Sequence, residues 1–154
     1  MTEAEINIRH ATELDQQAIR DLVRSERLNP LNLTWPNFLV AATEHRVVGA
    51  VQMRRHSDGS HELGSLVVSK EARGQGIATR MIDALLAHEQ RPVWMITADT
   101  FAGTFSQWGF QQIEPRTAPV KVRRNYQMGS LARVVSFIMR RPMRRLVILE
   151  RLAA

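Results

Sequence analysis

The stretch from Leu66 to Leu86, LVVSKEARGQGIATRMIDALL, restricts the fold more than any other part of the chain. The apolar run Leu66-Val67-Val68 reads as a strand. A few residues later Gly74 and Gly76 flank Gln75, and a helical pattern starts at once, with Ile77, Met81, Ala84, Leu85 and His88 on one stripe. Glycine costs conformational entropy and packs nothing, so two of them here mean that something needs bare backbone. A strand, a glycine turn and a helix start together form an anion site. The first N–H groups of a helix lack intrahelical acceptors, and the helix dipole adds partial positive charge. The spacing is Arg-x-x-Gly-x-Ala over Arg73, Gly76 and Ala78. No Gly-Lys-Ser/Thr follows, so the turn is not a Walker loop. The Gly-x-Gly-x-x-Gly spacing of a dinucleotide fold is missing as well.

The remaining patterns supply the elements around this turn. INIRHA predicts a short strand, and Thr12 caps a helix over ELDQQAIRDLVRSERL that turns Ile19, Leu22 and Val23 inward. Two prolines in NPLNLTWPN stop it. FLVAAT and RVVGAVQMRRH predict a hairpin, SDGSH a turn and ELGSLVV the next strand. VWMITA lacks strict alternation, as expected for a strand covered on both faces. TFAGTFSQW predicts a short helix, and GFQQI and RLVILERL two strands. Between those strands, NYQMGSLARVVSFIMRRPMRR predicts an amphipathic helix ended by Pro142. The order β, α, β, β, β, α, β, α, β, extra helix, β predicts a mixed α/β fold with helices covering a central sheet. No repeat or low-complexity segment is seen, so the expectation is one domain over residues 1–154, with a basic insert at about 115–145 before the last strand.

Charge is uneven along the chain. Residues 116–154 hold ten Lys and Arg against Glu150 alone, a net +9, which leaves −3 for residues 1–115 of the overall +6. A basic segment is in most cases a solvated face; its sharper reading is an anionic partner such as a membrane surface or nucleic acid. Within it, Leu131, Val134, Val135, Ile138 and Met139 form an apolar stripe. We expect that stripe to be core against the sheet rather than membrane-facing. The chain has no cysteine, which excludes a disulfide framework and thiolate zinc. The acidic N-terminus does not read as a signal peptide, and no apolar run approaches spanning length, so a cytoplasmic location is the expectation.

The sequence LGSLVVSKEARGQGIATRMIDALL, followed by VWMITADTFAGTFSQWGF, resembles the GNAT superfamily of N-acetyltransferases, over Ile6 to about Ile113 and again in the last strand. The resemblance implies a mostly antiparallel sheet with helices on both faces and a splayed strand pair that binds acetyl-CoA as co-substrate, with no metal. It implies that the diphosphate meets Arg73, Gly74, Gln75, Gly76, Ile77, Ala78 and Thr79, and that the pantetheine arm lies along Leu66, Val67 and Val68. Glu62, at the start of ELGSLVV, matches the position of a Glu that acts as general base in many members; the competing reading is a surface Glu facing Arg54 or Arg55. His61 points to the other strand face and is the weaker candidate.

The common tyrosine that protonates the leaving thiolate is Phe105 here, four residues before Gly109. That departure puts the usual general acid in doubt; Tyr126, the one tyrosine, is the other candidate. Phe105 also resembles the amino-acid N-acetyltransferase branch, of the acetylglutamate synthase type. The implied function is acetyl transfer from acetyl-CoA to a primary amine of a small molecule or peptide. The alternatives are a non-catalytic CoA-binding module, or a module docking on an anionic surface through its basic segment. For substrate contacts, Trp35 and Phe38 are candidates to wall a pocket, and Arg116, Arg123 or Arg124 to clamp a carboxylate. Many relatives dimerise, so a homodimer is a weak expectation.

Overall fold

In the computed structural model, residues 4–138 and 144–153 are described. The strands are β1 (Asn7–His10), β2 (Phe38–Ala42), β3 (Val47–Arg55), β4 (His61–Val68), β5 (Val93–Ala98), β6 (Gln111–Ile113) and β7 (Leu146–Arg151). The α-helices are α1 (Gln16–Ser25), α2 (Ile77–Leu86) and α3 (Val120–Ile138). The strands form one sheet in the order β1-β2-β3-β4-β5-β7-β6. Pairing is antiparallel between β1 and β2, β2 and β3, β5 and β7, and β6 and β7, and parallel between β4 and β5. This is the mixed α/β architecture expected from the element order, with the mostly antiparallel sheet that the family resemblance implies. Contacts sort the chain into two units, Met1–Met53 with Gly64–Glu89, and Arg54–Leu63 with Gln90–Ala154.

In the first unit, Ile19 and Val23 of α1 pack on Phe38, Val40, Ala50 and Val67. Phe38 is 1% exposed, so it belongs to this core and not to a pocket wall; Trp35 packs against the same core. The Thr12 cap holds α1 through a short 3-10 turn, Glu13–Asp15. Asp15 accepts from the Thr12 N–H at 2.7 Å and from both Arg9 Nη atoms at 2.7 and 3.1 Å. In α2 the buried residues are Ile77, Met81, Ile82 and Leu86, while Ala84 and His88 are exposed. The buried face is therefore turned toward Ile82 and Leu86, because these larger apolar side chains outweigh Ala84 in what burial gains.

In the second unit, β5 pairs with β7 from Val93↔Arg151 to Ala98↔Leu146. Asp99–Trp108 forms a 3-10 helix where TFAGTFSQW predicted a helix. Helix α3 starts at Val120, five residues before the expected Asn125. Its Val122 is fully buried with Ala118 and Ile148, and Trp94, Ile96, Ile113 and Tyr126 pack around them. The expected core stripe is overturned: Leu131, Val134 and Ile138 are exposed. The Val135 side chain and Met139 lie outside the described residues. Both sides of α3 carry apolar residues, and the inner side is the one where Gly129 lets the helix come close to Leu146 of β7.

Candidate functional site

The glycine turn is built by backbone geometry. After β4, a 3-10 turn at Lys70–Ala72 leads to Gly74 at φ +79° and Gly76 at φ +72°. Both angles lie where L side chains are strained, and Gly76 is the residue that caps α2. A Cβ on either glycine would meet no atom within 4 Å, so the space over the turn is open. The first hydrogen bond of the helix runs from Arg80 N–H to the Gly76 carbonyl, at 3.0 Å. The amides of Ile77, Ala78 and Thr79 precede it and have no intrahelical acceptor. Ile77 buries its side chain, leaving its amide as the group it can offer. Gln75 is exposed. The Arg73 side chain is engaged elsewhere: Nε donates to the Val68 carbonyl at 3.1 Å, and Nη2 pairs with Glu26 at 2.9 Å.

Strand β4 is bent upstream of this turn. Ser65 sits at φ +52° inside the strand, and its Oγ accepts a hydrogen bond from Gln52 Nε2 at 2.8 Å. Gln52 is fully buried, so the irregularity is held from within. Leu66 and Val68 are half-buried on either side of the core residue Val67.

Glu62 lies in the other unit and is 2% exposed, so it is not the surface residue of the competing reading. It does face Arg54. Oε1 accepts from Arg54 Nη1 at 2.9 Å; Oε2 meets His56 Nε2 at 2.8 Å and accepts from Asn125 Nδ2 at 2.9 Å. Arg54 and His56 come from the adjoining hairpin strand and turn, a cross-strand arrangement. Asn125 comes from α3, 63 residues away in sequence. The SDGSH turn explains how it arrives. Asp58 Oδ1 accepts from the Ser60 hydroxyl and N–H at 2.6 and 3.0 Å, and Oδ2 accepts from the Lys121 N–H at 3.1 Å, in the first turn of α3. The Ser60 hydroxyl above all, with the Ser60 and Lys121 amides, holds the Asp58 carboxyl at about 2. The hairpin turn thus fixes the start of α3, and Asn125 follows Lys121 by one helical turn. His56, Asp58 and Asn125 are the residues that sequence reasoning missed. The spacing of His56 and Glu62 across a turn was the available signal; Asn125 had none.

Phe105 is 7% exposed and packs against Trp108 and edge-on to Phe110, with ring centroids 6.0 and 6.4 Å away. Tyr126 packs on Ala118, Val122 and Ile148. Arg116 pairs with Glu114 at 2.6 Å, and Arg123 donates to the Arg116 carbonyl at 3.2 Å, so these two are tied up locally. Among the described residues, no group of three or more His, Cys, Asp or Glu side chains is placed to hold a metal ion.

Residues 34–112, just over half of the chain, match the model of the acetyltransferase (GNAT) domain. The chain belongs to the GNAT acetyltransferase family. Solved structures agree on the GNAT fold. The N-acetylglutamate synthase of Neisseria gonorrhoeae, complexed with coenzyme A and N-acetyl-glutamate, superposes with a TM-score of 0.75 at 19% identity, over 99% of this chain and 36% of that one. This chain therefore spans about a third of the synthase. A Mycobacterium tuberculosis protein in complex with CoA and NLQ gives 0.71 at 20% identity, over 96% and 99% of the two chains. The diaminobutyrate acetyltransferase of Paenibacillus lautus, with L-2,4-diaminobutyric acid and coenzyme A, gives 0.64 at 14%, over 96% and 95%. Of the GNAT site residues expected here, Leu66, Val67, Val68 and Arg73 through Thr79 lie together in the first unit, and Glu62 and Phe105 in the second.

Proposed function

We propose that this GNAT protein transfers an acetyl group from acetyl-CoA to the primary amine of a small molecule of amino-acid type. The observation that carries the reading is the turn at the start of α2. Two glycines at positive φ leave open space over helix-terminal amides without intrahelical acceptors, which suits a diphosphate. The amides of Gly74, Gln75, Gly76, Ile77, Ala78 and Thr79 would hold it, with the Arg73 guanidinium balanced by Glu26 and contributing little charge. Backbone groups of Leu66, Val67 and Val68 would align the pantetheine arm. When bound, acetyl-CoA supplies the activated thioester carbonyl.

An ammonium is not nucleophilic, so the acceptor must lose a proton before or during attack. Glu62 is the carboxylate assigned to that proton, and Arg54, His56 and Asn125 fix its two oxygens in place. His56 faces the same oxygen as Asn125 and gives the proton an onward route through its imidazole. Phe105 has no proton to give, so in this reading the thiolate departs without a protein acid. Support for an amino-acid-type acceptor comes from the neighbours crystallised with amino-acid ligands.

The test is calorimetry with acetyl-CoA on wild type and Gly76→Glu, followed by a thiol-release assay over a panel of amino acids, polyamines and peptides. Without cysteine the protein itself gives no thiol background. Wild type should bind, and Gly76→Glu should lose binding through a like charge and a side chain set over the turn. Micromolar affinity retained by Gly76→Glu removes the reading. Binding without turnover of any amine in the panel leaves the non-catalytic CoA-binding alternative in its place.

A further inference from the structure

The solvent side of α3 has the wrong chemistry for a surface that meets only water. Val120, Leu131, Val134 and Ile138 project, at 100° per residue, into one sector of about 60° opposite the buried Val122, with Met128 to one side. Their exposures are 49, 65, 49 and 74%, and 56% for Met128. Gln127 is the polar residue within that sector, and Arg124 lies at its edge. Every charged residue on the helix is basic: Lys121, Arg123, Arg124 and Arg133. No Asp or Glu occurs from Arg116 to Leu149. Among the described residues, no helix is long and apolar enough to cross a membrane, so this one would lie on a surface.

We propose that α3 docks this protein on an anionic lipid surface, its apolar stripe entering the headgroup boundary and its cations meeting lipid phosphates. A helix that turns an apolar stripe outward and carries only basic charge is suited to that interface. A second copy of the chain fits poorly. A two-fold contact would set this helix against itself and place arginines against arginines with no acidic partner. Nucleic acid fits poorly too, since phosphate contacts reward the cations and leave the five apolar side chains without a role. The proposal does not depend on the acetyltransferase reading, because none of these side chains belongs to the turn at Gly76 or to the Glu62 cluster.

The experiment is sedimentation of the full chain with phosphatidylcholine vesicles, with and without phosphatidylglycerol, at low and high salt. Wild type should partition onto the anionic vesicles and be released by salt. Leu131→Ser/Val134→Ser/Ile138→Ser should lower the partition coefficient roughly tenfold or more, because it removes most of the buried apolar area. Arg123→Gln/Arg124→Gln, whose side chains flank the stripe, should lower it on anionic vesicles alone. Retained acetyl-CoA binding, or an unchanged melting temperature, shows that the serine variant is folded. The proposal is overturned by absent sedimentation, by equal sedimentation with neutral vesicles, or by a folded serine variant that binds like wild type. A wild-type dimer that the serine substitutions dissolve, or tighter binding to duplex DNA than to vesicles, overturns it as well.

Discussion

Replacing Glu62 with glutamine separates two roles that its surroundings permit. The carboxylate is 2% exposed and accepts from Arg54, whose side chain is 11% exposed. Glutamine keeps the shape and one carbonyl. It turns an acceptor into an NH2 group facing Asn125 Nδ2, a donor against a donor, and removes the carboxylate charge that faces Arg54. One mispaired buried group costs about 1–3 kcal/mol. Full loss of a partner in a buried pair costs about 3–5 kcal/mol. Glutamine retains half the contacts, so the lower range applies. If Glu62 takes the acceptor's proton, turnover should fall about 10²- to 10⁴-fold, and acetyl-CoA affinity should stay near that of wild type.

The stability and turnover effects can be told apart with Arg54→Met/Glu62→Gln. Removing both charges should recover stability relative to the sum of the single changes, since the two side chains are in direct contact and their changes couple. It should not recover turnover. The assays are urea denaturation for stability and thiol release at saturating acetyl-CoA for rate, repeated across pH. Turnover of folded Glu62→Gln within about twofold of wild type, with an unchanged pH profile, would refute the base assignment. Glu62 would then be the post that ties the hairpin to α3.

Phe105→Ala should cost about 3–5 kcal/mol by opening a cavity between Trp108 and Phe110, measured by denaturant midpoint, whereas Phe105→Tyr should leave the rate unchanged or modestly higher. Tyr126→Phe should turn over as wild type does, because that ring packs on Ala118, Val122 and Ile148; a hundredfold fall with intact stability would make it the acid. Hydrogen bonding to Arg9 above all, helped by the Thr12 N–H, holds the Asp15 carboxyl at about 2 in the folded protein, below its usual 3.8. The unfolded chain therefore takes up this proton first as pH falls. The stabilisation is present above about pH 4 and is lost between about pH 4 and 2, and Arg9's partial exposure discounts it to about 1 kcal/mol. Urea midpoints of wild type and Asp15→Asn should accordingly converge over that window.

What could be read from the sequence was whatever depends on neighbours along the chain. The hairpin of FLVAAT and RVVGAVQMRRH and the glycine turn follow from local pattern and are present; Thr12 caps a 3-10 turn, and the first α-helix begins only at Gln16, with Asp15 at its N-cap. Glu62 could be named, but its setting could not. Asn125 reaches it from a helix whose start is held by Asp58, in a hairpin turn 63 residues earlier. No local pattern encodes that contact. The register of burial in α3 was misjudged for a related reason. The pattern Leu131, Val134, Ile138 specifies an apolar face without saying what lies against it. Burial was decided on the opposite side, where Val122 meets Ile148 and Gly129 comes close to Leu146.

The strand order has a bearing on how this protein behaves when concentrated. The two margins of the sheet are β1, Asn7–His10, and β6, Gln111–Ile113, its shortest strands at four and three residues. Arg9 and His10 punctuate one, and the exposed Gln111 and Gln112 the other. A foreign strand arriving at either margin finds few free backbone groups and polar side chains, poor ground for fibril-like growth. The five-residue, fully buried strand β2 is shielded between β1 and β3. Colloidal trouble in purification should therefore arise from sticky helix surface rather than from strand addition. It should respond to mild detergent or to the serine substitutions in α3, and thioflavin T should stay dark throughout.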